Sequence, residues 1–135
     1  MSIGLVRSAL ENKLDDMSPS LATAFENVPY TPISGTPYQS PFLLTGEPEN
    51  PTLGDGYYRE QGIFQVSLFY MMQTGSGAAE ARAELIRTAF KRGVSMTSGA
   101  VTVRVNRTPE ISQGRRDGDR WSVIVKIRWY AGIYP

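Results

Sequence analysis

The 135-residue chain contains no cysteine and no histidine, and each absence removes a class of chemistry. Without cysteine there is no thiolate nucleophile, no Cys-based zinc site and no disulfide framework. That composition fits a reducing compartment and predicts cytoplasmic synthesis. Without histidine no side chain titrates near neutrality at its ordinary pKa. Ser-His-Asp chemistry and His-ligated metals are excluded, and general acid–base work would require a carboxylate raised or a lysine lowered by burial. Net charge of one sign is also scarce: the formal charge is +1, which offers no overall basic field for nucleic acid. Long apolar runs are missing too; none approaches the roughly eighteen residues of a membrane-spanning helix. The opening Met1-Ser2-Ile3-Gly4-Leu5-Val6 has neither the charged n-region nor the apolar stretch of a signal peptide. The chain is expected to be neither secreted by the usual route nor membrane-bound.

What is present suffices for one core. With 41% hydrophobic residues, a chain of this length buries roughly two-thirds of its unfolded surface without staples. A single domain over residues 1–135 is expected. Ile3, Val6, Leu10 and Leu14 fall on one side of a helix over 2–14, with Ser2 as N-cap and Ser18-Pro19 beyond its end. Residues 21–28 suit a short strand, 42–44 a second, and the aromatic and branched stretch from Tyr57 to Met71 a long central one. A second helix spans 78–92, with Gly93 as its cap. Val101, Val103 and Val105 alternate with polar residues, as do Trp121, Val123, Val125, Ile127 and Trp129, giving two more strands. The fold class is therefore α+β: a mainly antiparallel sheet of about five strands with two helices packed on one face, in the order α-β-β-β-α-β-β. Such a sheet leaves its other face uncovered, and an uncovered face needs a partner.

Two long loops stand out. The first, 46–56, alternates Gly, Pro and Asn and carries Glu47, Glu49 and Asp55. Its spacing matches no calcium loop, so it reads as a solvated surface loop. The second, 106–120, carries Arg107, Glu110, Arg115, Arg116, Asp117, Asp119 and Arg120. Its mixed charge suits a solvated loop or an arm that orders when a partner supplies groups to pair with the arginines, and its acids argue against sequence-specific nucleic-acid binding. The segment Thr74-Gly75-Ser76-Gly77-Ala78 lies where a phosphate loop would lie but lacks the terminal Lys and Ser/Thr. It reads as a turn into an N-cap at Ser76 or Gly77. No catalytic residue, metal ligand, cofactor or small-molecule substrate is indicated.

Taken in order, Phe25-Glu26-Asn27-Val28-Pro29-Tyr30-Thr31-Pro32, then Gly62-Ile63-Phe64-Gln65-Val66-Ser67-Leu68, then Gly75-Ser76-Gly77-Ala78-Ala79, then Phe90-Lys91-Arg92-Gly93 resemble a family of small tailed-phage and prophage proteins similar to lambda-type tail terminators. The resemblance spans nearly the whole chain and rests on order and spacing. It implies a structural virion component made in the bacterial host cytoplasm. This component forms a ring, a hexamer by the resemblance, that caps the tail tube, stops its polymerisation and offers a head-joining surface. Its partners are then further copies of itself, the tail tube protein and the head–tail connector, and the ten charged loop residues named above become candidate assembly contacts. Rival readings are another neck or minor tail component, a host module that captures a peptide on the Pro-rich edge or an open sheet edge, and an enzyme built on a buried Glu and Lys.

Overall fold

The computed structural model describes residues 2–18, 20–33, 35–54, 56–71 and 77–134. Its axis is a pair of fourteen-residue strands, β3 (Tyr58–Met71) and β8 (Arg120–Ile133). They pair antiparallel along their whole length, from Tyr58↔Ile133 to Met71↔Arg120. Both sequences alternate, so every second side chain points to one face. Phe64, Val66 and Leu68 stand beside Ile127, Val125 and Val123, all buried. Outside β3 lies β2 (Tyr38–Thr45), antiparallel from Tyr38↔Phe69 to Thr45↔Gly62. The two-residue β1 (Ala22–Thr23) is parallel to β2. On the other side of β8 lies β5 (Val101–Val105), flanked by β4 (Ser95–Ser98).

Two helices fill the face to which the alternating apolar residues point. In α1 (Ser2–Asp15) the buried Val6, Ala9, Leu10 and Leu14 form one stripe, packed on β4 and β5. In α2 (Gly77–Ala89) Ala79, Ala83 and Ile86 do the same against β3 and β8. Phe90, just past α2, sets its ring 6.1 Å from that of Phe64. Gly93 takes φ 91° in the turn that follows, and its N–H donates to the Val105 carbonyl. Among the described residues no helix is long and apolar enough to cross a membrane.

The α+β class stands, with more strands than the sequence suggested: eight among the described residues. Two departures account for this. The polar Ser95–Ser98 segment becomes an edge strand because β5 beside it offers a ladder. The expected loop 106–120 contains β6 (Glu110–Ile111) and β7 (Arg115–Asp117), both paired with β8 on the same side as β5. From Val105↔Trp129 to Glu110↔Lys126 the arm advances five residues against three on β8, and from Ile111↔Val125 to Arg115↔Ser122 four against three. Residues 101–117 are thus one strand interrupted by two bulges, which break its alternation and bend it. The hairpin closes at Gly118, whose φ of 62° is what the first central position of a type II′ turn needs. The expected strand over 21–28 shrinks to β1, while that over 42–44 lengthens to β2. Ser76, Pro19 and the Ser2 side chain lie outside the described residues.

Candidate assembly surface

Among the described residues no helix covers the second face of the sheet. Its residues form rows across the strands: Leu44, Ile63 and Arg128; Phe42, Gln65, Lys126 and Glu110; Ser40, Ser67 and Ile124; Tyr38, Phe69, Ser122 and Arg115. Phe42 is 38% and Leu44 49% exposed, although both are paired in a regular ladder. The β2 half of this face is therefore apolar and the β8 half basic. One end is covered by the chain that leads into β2. There Arg120 donates to the carbonyls of Thr36 (2.6 Å) and Ile33 (2.8 Å) and lies 5.0 Å from the centre of the Tyr38 ring, which stacks on Phe69 at 4.8 Å.

The outer edge of β2 is closed to strand addition. Pro41 has no N–H to offer, the Ala24 N–H donates to Gln39 O, and Glu26 accepts the Leu43 N–H at 2.8 Å. The same carboxylate oxygen meets Arg7 at 2.9 Å, and Arg7 also reaches Glu11. Burial pushes the Glu26 pKa up, but the Leu43 N–H and Arg7 outweigh it and hold the carboxyl below its usual range. Glu11 moves the other way, because burial outweighs its attraction to Arg7. Under the sheet Arg82 is buried against Gln39 Oε1 at 3.3 Å, and burial lowers its pKa.

The structure separates the nine described residues among the ten charged ones singled out in the two loops. Glu47 and Glu49 are exposed on the β2–β3 connection; Glu49 pairs with Arg59 at 3.6 Å and bridges its backbone. Asp55 lies outside the described residues. Arg107 is exposed in the first bulge of the arm, and Glu110, at the start of β6, reaches Arg128 at 3.5 Å. Arg115, Arg116, Asp117 and Asp119 are exposed on β7 and the hairpin turn. Arg120 is different: only 9% exposed, it is an internal clamp rather than a surface group. Arg92, Arg107 and Arg128 come together with Asn106, Thr108 and Glu110 around a groove of about 680 Å³. Arg92 and Arg128 were not among the candidate contacts, because one lies in a helix-terminal turn and the other inside an alternating strand. Phe42 and Leu44 had a signal: they fall two apart in a strand whose other alternate positions are buried.

This surface presents shape, apolar area and arginines. Among the described residues no group of three or more acids is placed to hold a metal ion. Residues 5–129 match the family described as phage tail terminator protein. The chain belongs to that family. It is a structural tail-completion protein, a virion component that associates with other components of the tail. One solved structure superposes on this terminator with a TM-score of 0.80 at 25% identity, covering 100% of this chain and 99% of that one. A chain in the virion of a native gene transfer agent particle shares the fold at a TM-score of 0.63 and 17% identity, with 98% of each chain covered. No curated protein matches the sequence.

Proposed function

We propose that this terminator closes into a ring, a hexamer, on the head-proximal end of the tail tube, ending tube polymerisation and presenting a surface to the head–tail connector. The observation that carries this reading is the half-apolar, half-basic sheet face, left open beside a well-filled core in a member of a tail-completion family. An exposed ladder flanked by arginines is the composition of a protein interface. The ring needs only complementary surfaces in a heterologous, closing contact, so its work is assembly rather than catalysis. Within it, Glu47, Glu49 and Asp55 on one connection and Arg107, Glu110, Arg115, Arg116, Asp117 and Asp119 on the arm make subunit contacts. Arg120 acts by holding the end of the face in shape.

Light scattering after size exclusion, over a concentration series and with purified tail tubes added, tests the proposal. A closed ring, free or on tube ends that no longer grow, is expected. A monomer that leaves tubes growing would contradict it, and binding to an isolated neck protein but not to tubes would favour a neck component instead.

A further inference from the structure

The near-neutral total conceals a segregation of charge. Residues 1–90 hold ten acidic and five basic side chains, and residues 91–135 three acidic and nine basic. The fold keeps the second stretch together as β4, β5, the arm and β8, all on one side of β3. Two grooves express the difference. The arginine groove sets Arg92, Arg107 and Arg128 against one acid, Glu110. The other, about 580 Å³, lies between α1 and the turn that follows β1, and sets Glu11, Asp15 and Glu26 against one cation, Arg7. The two grooves share no lining residue, although α1 itself packs on β4 and β5. Internal pairs leave both grooves unbalanced. Glu110 is taken by Arg128, and Arg7 is shared by Glu26 and Glu11, while Arg92, Arg107 and Asp15 have no ion pair among the described residues.

We infer that the two grooves are the two halves of one head-to-tail contact between copies of this chain, the arginine groove of one copy receiving the acidic rim of α1 of the next. The inference rests on the ring reading and adds which surfaces close it. Opposite charge on separate parts of one chain favours a heterologous contact, because a two-fold contact of either groove with itself would set like charges together. Repetition of a heterologous contact is what generates a ring. An arginine groove also suits a phosphate backbone, but Glu110 sits within this one, and the complementary groove is carried by the same chain.

Two variants test it: Arg92→Glu with Arg107→Glu, and Asn12→Lys with Asp15→Lys. All four positions are exposed, so each variant should melt as the wild type does. Each alone should need at least about a tenfold higher concentration to oligomerise, free or on tubes, consistent with the cost of facing like charges. An equimolar mixture should recover assembly as rings in which the variants alternate, since each then meets the opposite charge. Either variant assembling alone like the wild type, or a mixture that recovers nothing while the wild type forms rings, would overturn the assignment and leave the ring reading standing. An arginine variant that assembles normally but loses binding to a fluorescent DNA duplex would give the groove to nucleic acid. A wild type that stays monomeric with and without tubes would overturn the ring reading, and this assignment with it.

Discussion

The two faces of the β2–β3–β8 sheet are made from the same strands and differ only in which alternate residue points where. On the helix side Leu43, Phe64, Val66, Val125 and Ile127 are buried by α1 and α2. On the other side Phe42 and Leu44 stand exposed and Ile63 half-buried in equally regular register, with no helix above them among the described residues. The first face holds the chain together, and the second has apolar and basic side chains left over for a partner. Both therefore carry hydrophobic residues, but a substitution should be felt by folding on one face and by assembly on the other.

The largest effect should come from the covered face. Phe64→Ala removes a fully buried ring that packs near Phe90 and should cost about 3–5 kcal/mol, read from denaturant unfolding. Arg120→Ala sharpens the boundary between the faces. It leaves the Thr36 and Ile33 carbonyls without their donor and should cost about 1.5–3 kcal/mol; a thermal melt unchanged from the wild type would contradict its role as a clamp. Glu26 gives a pH dependence. Its pKa is lowered in the folded chain, so its contribution is fully present above the unfolded value near 4.5 and is lost as pH falls through the lower folded value. Glu26→Gln should flatten that part of the stability profile in acid melts. The smallest effect on folding belongs to the open face: Phe42→Ser with Leu44→Ser should cost about 0.5–1 kcal/mol per site, the range of a lost cross-strand contact.

The long strands and both helices were legible in the sequence because their alternation or 3.6-residue stripe is dictated by the core they face. Val101 to Val105 matched to the residue. The arm was not legible, since its two bulges shift the alternation out of phase and Pro109, Gly114 and Gly118 read as turns, although β8 alongside supplies a ladder. Nor did Ser95–Ser98 carry a pattern; an edge strand needs only a neighbour. Of the candidate contacts, Arg120 shows the limit most clearly. Among neighbouring surface charges it looks like one more, and only carbonyls 84 and 87 residues away in the chain make it an internal group. The arginine groove was hidden for a related reason, because Arg92, Arg107 and Arg128 come from three separate segments.

Whether the open face meets other subunits decides what its exposed apolar side chains are for. The most direct measurement is the fraction of capped tail tubes, counted by electron microscopy, for the wild type and for the Phe42→Ser, Leu44→Ser variant at equal concentration, with both confirmed folded. A normally folded variant that caps at least about tenfold fewer tubes is expected, the loss that follows when a central apolar contact is removed from an interface. Capping at the wild-type level would contradict this role of the open face and place the assembly contacts elsewhere on the molecule.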